Sequence, residues 1–205
     1  MQIVTFFQTG GPFMYPILVV LALGLGIALE RLLYIMRTQS NTNKVWRQIV
    51  PMLKAKDYAR AEKLTSSVKT PLATVLNYGF ARRHGNAKRE LVEASMEEGI
   101  MEATPELEQR THYLATLANI ATLLGLLGTI IGLIQAFTAV AAADPAEKAD
   151  LLSASISVAM NTTAFGLTAA IPLILIHSYL ATKTTKLVDN LEMAAVKCLN
   201  LMSEE

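Results

Sequence analysis

Polar and apolar positions along the chain sort into three long uncharged windows, Met1 to Leu29, Thr111 to Ala143 and Leu151 to Thr182, separated by charged stretches. Each window exceeds the roughly 20 apolar residues that a helix needs to cross a bilayer. The first has no Lys or Arg before Arg31, so it lacks the basic leader of a secretory signal peptide and is expected to persist as a first span. That span is predicted from Tyr15 to Tyr34, with Pro12 and Pro16 near its start, where a missing N–H is tolerated.

Between the windows the periodicity is helical. Helices are predicted over Asn43 to Lys54, Asp57 to Ser67, Pro71 to Phe80 and Lys88 to Gln109, punctuated by Pro51, Pro71, Gly85 and Pro105. No run alternates at period two, so no sheet is expected. A helix continuing from Pro105 to Ala143 would be about 60 Å long, roughly twice the hydrocarbon thickness. The second span should therefore project beyond the membrane. Beyond Lys183, apolar positions recur at Leu187, Leu191, Ala194, Ala195 and Cys198, which predicts the same of the third.

The fold class expected is an all-α integral membrane protein with three transmembrane helices and long cytoplasmic helical extensions. It divides into a periplasmic N-terminus with the first span (1–36), a cytoplasmic helical segment (37–110), the second span (111–143), a periplasmic loop (144–150), the third span (151–182) and a cytoplasmic C-terminal helix (183–205).

Charge sets the orientation. The 205-residue chain is only 17% charged, and its net charge of +1 offers no nucleic-acid surface. Its basic residues are unevenly placed: thirteen Lys and Arg lie between Arg37 and Arg110, and Lys183, Lys186 and Lys197 lie in the tail, against Lys148 alone in the loop. The positive-inside bias puts the long segment and the tail in the cytoplasm. The N-terminus and the loop, with its acids Asp144, Glu147 and Asp150, then face the other side. Glu30 and Arg31 fall at the inner end of the first span, where an interfacial role is the simpler reading than ion transport. The single cysteine, Cys198, excludes an intramolecular disulfide and reads as an inert helical thiol.

Within the second window Asn119, Thr122, Gly125, Thr129, Gly132 and Ala136 fall on one side of a helix, in an arc of about 140°. In the third, Ser155, Ala159, Thr163, Gly166, Ala170 and His177 form a matching stripe, and Pro172 should kink the helix. Such stripes face a protein interior or a wet axis. Small residues and hydroxyls also let helices approach closely, so spacing by itself favours packing over conduction. Neither window contains Asp, Glu, Lys or Arg. A path that moves protons by protonation and release needs a titratable group at membrane depth, so a carboxylate would have to come from another chain. No metal-ligand spacing, activated nucleophile or phosphate-binding glycine loop occurs, so neither an enzyme nor a cofactor is expected. One three-helix subunit encloses no water path, which makes a homo-oligomeric ring the economical arrangement.

The run Leu107 to Phe137, LEQRTHYLATLANIATLLGLLGTIIGLIQAF, together with NTTAFGLTAAIP from Asn161 to Pro172, resembles the second and third spans of the ExbB, TolQ and MotA family. Glu30-Arg31-Leu32 and Thr70-Pro71-Leu72-Ala73 look like family features too, so the resemblance covers nearly the whole chain and is nearest to three-span ExbB-like proteins. It implies a stator-type subunit of a proton-driven motor in a bacterial inner membrane. In such machines a homopentamer surrounds the single spans of ExbD- or TolR-like chains, and an aspartate on that partner carries H⁺. The work reaches TonB- or TolA-like proteins, for import energisation, envelope maintenance or motility. By motif, the family's pore threonines fall on Thr129 and Thr163, with Asn119, Thr122, Gly125, Gly132, Ser155, Ala159, Gly166 and Ala170 as a supporting pore or packing stripe. Two positions depart from the pattern: Val158 stands where a glutamate is common, and Thr122 where proline is common.

Overall fold

The computed structural model describes residues 10–83 and 88–203, and the described residues contain helices and no strand. The outermost N-terminal residues of the first window and the expected break at Gly85 lie outside them. In chain order the helices are α1 (Met14–Lys54), α2 (Tyr58–Ser67), α3 (Pro71–Arg83), α4 (Arg89–Glu108), α5 (Thr111–Ala142) and α6 (Lys148–Ser203). Three helical stretches, containing α1, α5 and α6, are long and apolar enough to cross a membrane.

Two helix boundaries differ from expectation. The first span and the predicted helix ending at Lys54 form one continuous 41-residue helix, because residues 35–42 between them hold neither proline nor glycine to break it, and Pro51 falls in its last turn. The continuous helix expected from Pro105 to Ala143 is instead interrupted: α4 ends at Glu108, and Arg110 adopts a left-handed conformation with φ 63° before α5 begins. Pro105 lies inside α4 rather than at its start. The 56-residue α6 runs through Pro172 as helix and on into the C-terminal extension.

The chain sorts into two compact units. One gathers the residues up to Glu30 with Arg110–Ser178; the other gathers Arg31–Gln109 with the residues from Tyr179 onward. In the second unit, Val45, Ile49 and Leu53 of α1 share a core with Leu72, Leu76 and Phe80 of α3, Met96 and Leu107 of α4, and Leu187, Leu191 and Cys198 of α6. The apolar positions predicted beyond Lys183 are thus all buried. Turn chemistry fixes the short helices. α1 closes with Lys56 at φ 56°, where the Asp57 N–H donates to Met52 O at 3.0 Å and the Lys56 N–H donates to Leu53 O at 3.0 Å. The Asp57 carboxylate then accepts from Arg60 N at 3.1 Å and caps α2. Thr70 Oγ1 accepts from Ala73 N at 3.2 Å ahead of Pro71, the first residue of α3.

A buried arginine finishes α4. Arg31, 2% exposed, donates its guanidinium to Leu107 O and, at 3.3 Å, to Glu106 O. These are last-turn carbonyls, which have no partner within the helix, and a cation there also suits the negative end of its dipole. Tyr34 packs against the same guanidinium at 4.5 Å and donates to Glu106 Oε1 at 3.0 Å.

Candidate functional site

The polar stripes of the second and third windows meet inside the first unit, along a seam between α5 and α6. Their backbones touch at glycines. A Cβ on Gly166 would stand 2.8 Å from Ala121 O and 2.9 Å from Gly125 Cα, and one on Gly132 would stand 2.9 Å from Ala159 Cβ. Gly128 packs against the methyl of Thr162. Helices approach this closely in an apolar solvent because small residues let many dispersion contacts form at once.

The two threonines picked from the motifs lie beside each other on this seam. Thr163 Oγ1 donates to Gly125 O of the facing helix at 2.8 Å and lies 3.3 Å from Thr129 Oγ1. Thr129 donates to Leu126 O at 2.6 Å, within its own helix. A hydroxyl has one proton and two lone pairs. With both protons directed to main-chain carbonyls, the pair presents oxygen lone pairs to whatever lies alongside. Both residues are half-buried, at the edge of the seam rather than sealed within it.

Of the other stripe residues, Gly125, Gly132, Ala159 and Gly166 make the close contacts just described. Ala170 is buried, Thr122 is half-buried and donates to Ala118 O at 3.1 Å, Ser155 is half-buried and Asn119 is exposed. The buried face of α5 runs through Leu114, Ala118, Ala121, Gly125 and Gly128, so the contact is centred one position away from Asn119 and Thr122.

Thr162 stands outside the predicted stripes, yet it is a structural link. Its one hydroxyl proton is shared between Gly10 O at 2.6 Å and Val158 O at 3.0 Å, which ties the segment ahead of α1 to α6. The signal was present in the paired threonines of the NTT motif, but two adjacent hydroxyls point about 100° apart on a helix and their partners cannot be assigned from spacing. Val158 turns its side chain to Gly11, where a Cβ would lie 3.2 Å from Val158 Cγ1. A valine suits that apolar contact.

Charged groups avoid the seam. Glu30 pairs through both carboxylate oxygens with Arg110, at 2.9 and 3.0 Å, on an exposed surface. Glu30 and Arg31, adjacent in sequence, therefore have opposite fates: one pairs at the surface and the other is buried. Among the described residues no group of His, Cys, Asp and Glu could hold a metal ion.

A family model described as the MotA/TolQ/ExbB proton channel family matches residues 67–193, more than half of the chain and all of the seam. No curated protein matches it.

Proposed function

Because the chain belongs to the MotA/TolQ/ExbB proton channel family and is a multi-pass membrane protein, we propose that it is the ring-forming subunit of a motor that converts proton-motive force into mechanical work. In this reading several copies, as in a homopentamer, surround an ExbD- or TolR-like single-span partner in a bacterial inner membrane. The N-terminus lies in the periplasm and the C-terminus in the cytoplasm. The output goes through a TonB- or TolA-like protein to import, envelope maintenance or motility. The chain itself is neither an enzyme nor a cofactor carrier.

The observation that carries the reading is the Thr129–Thr163 pair, 3.3 Å apart, on two helices that hold no Asp, Glu, Lys or Arg within their apolar windows. Such a seam cannot itself take up a proton, but it can recognise one. Lone pairs on both oxygens favour a donor, so a partner's carboxylic acid would bind there in its protonated form. Its carboxylate, which needs donors, would not. Protonation from the periplasm and release to the cytoplasm would then drive the partner from one seam to the next. A non-conducting oligomeric scaffold is the second reading, favoured by the Gly125–Gly166 contact, since glycines there serve packing as well.

The test is purification with the copurifying partner and reconstitution into proton-loaded vesicles. The motor reading expects a single-span partner with an Asp in its membrane segment, and a proton leak that Asp→Asn in that partner abolishes. A complex that leaves the gradient intact would establish the scaffold instead.

A further inference from the structure

The second unit carries an open groove between α4 and the C-terminal part of α6, with a volume of about 810 Å³. We infer that in the assembled ring this groove receives the basic outer face of α1 from a neighbouring copy. The inference rests on the oligomeric reading above and adds which surfaces meet.

The groove is apolar inside and acidic at its rim. Ile100, Val188 and Leu199 line it, while Met101 and Val196 stand at its mouth 73% and 52% exposed. Apolar side chains this exposed, beyond the apolar windows, remain in contact with water unless something covers them. Around them stand the carboxylates of Glu93, Glu97 and Glu192. α4 as a whole carries seven acidic residues and one basic residue. A fitting occupant therefore combines cationic ends with long aliphatic stems, which lysine and arginine provide.

Such a helix face stands on α1. Residues 31–56 contain five basic residues besides the buried Arg31 and no acidic one. Arg37, Lys44, Arg47 and Lys54 lie within an arc of about 100° on the outer side of α1. That arc lies opposite the buried Ile35, Thr38, Thr42, Val45, Ile49 and Leu53.

Position along the helices selects the same pairing. Copies related by rotation about an axis normal to the membrane keep their height, so only segments at equal depth can meet. The Tyr34–Glu106 hydrogen bond sets α1 and α4 level at that point, and the cavity shared by Ile35, Asn43, Leu180 and Lys183 does the same for α1 and α6. Counting on from these points, Glu93 and Glu97 stand level with residues 43–47 of α1, and Glu192 within about a turn of them. Lipid headgroups are a poorer partner for this face. Arg47 and Lys54 lie about 20 and 30 Å along the helix beyond Tyr34, whereas charge is screened over about 8 Å.

The complex with its copurifying partner, in a Cys198→Ala background, provides the test. Arg47→Cys combined with Glu97→Cys, treated with bis-maleimidoethane, should give a ladder of covalent oligomers at least tenfold stronger than Arg47→Cys combined with Ser66→Cys. Glu93→Lys with Glu97→Lys should lower the oligomer fraction, and Lys44→Glu with Arg47→Glu should restore it. An intact ring with no ladder above the control and no response to charge reversal would overturn the groove assignment while leaving the ring standing. A monomer by native mass would overturn both.

Discussion

Thr163 gives its hydroxyl proton to the Gly125 carbonyl across the seam at 2.8 Å, which brings its oxygen 3.3 Å from Thr129 Oγ1 with no proton reserved for that contact. The pair is thereby an acceptor site assembled from two helices. Thr163→Val removes the cross-helix bond and half of the acceptor pair, whereas Thr163→Ser keeps both. Proton flux in vesicles should fall at least tenfold in Thr163→Val and in Thr129→Val, and survive in Thr163→Ser. The thermal stability of Thr163→Val should drop by only about 1 kcal/mol, the usual worth of such a bond. Full flux in both valine variants would refute the pore assignment.

Gly166 allows no side chain. A methyl would meet Ala121 O at 2.8 Å and Gly125 Cα at 2.9 Å, both backbone atoms that cannot swing aside. Gly166→Ala should therefore cost about 1–3 kcal/mol as the helices are forced apart. A Cβ added at Gly26 would meet nothing within 4 Å, so Gly26→Ala should be neutral or mildly stabilising through helix propensity. Paired melting curves in the same detergent decide it.

The neighbouring charges Glu30 and Arg31 should respond very differently to substitution. Arg31→Gln uncovers the Leu107 carbonyl in a buried setting and should cost about 3 kcal/mol or more. Glu30→Gln breaks an exposed pair and should cost under about 1 kcal/mol, an effect that vanishes at high salt. Equal losses in the two variants would show that the exposed pair carries more than its setting allows.

Burial pushes the Cys198 thiol up to about 12. Below its ordinary value of 9.0 the thiol is protonated whether the chain is folded or not, and it contributes nothing to the pH dependence. Between 9.0 and about 12 the unfolded chain loses this proton first, so stability should fall as pH rises through that window. Cys198→Ala should flatten that part of the profile. Maleimide at about pH 8 should label the denatured chain and spare the folded one.

Much of this was legible from residues alone, for identifiable reasons. The spans announce themselves because a lipid-facing helix needs a long uncharged run, and few other structures require one. Thr129 and Thr163 could be selected because the LLGT and NTTAFGL motifs resemble those of the family, and the C-terminal extension because Leu187, Leu191 and Cys198 keep the helical period. The interruption at Gln109–Arg110 could not be read. It carries no glycine, and the nearest proline, Pro105, sits inside α4, where a helix can retain it close to its end.

The sequence by itself therefore determined the helical class, the three spans and the absence of a carboxylate at membrane depth, since these depend on the order and chemistry of neighbours along one chain. Which hydroxyl meets which carbonyl, and which of Glu30 and Arg31 is buried, was decided only in the tertiary structure. Those outcomes depend on how helices are rotated and how closely they approach. A turn of one position moves a side chain about 100° around its helix, enough to separate Thr162, bound to Gly10, from Thr163, bound to Gly125.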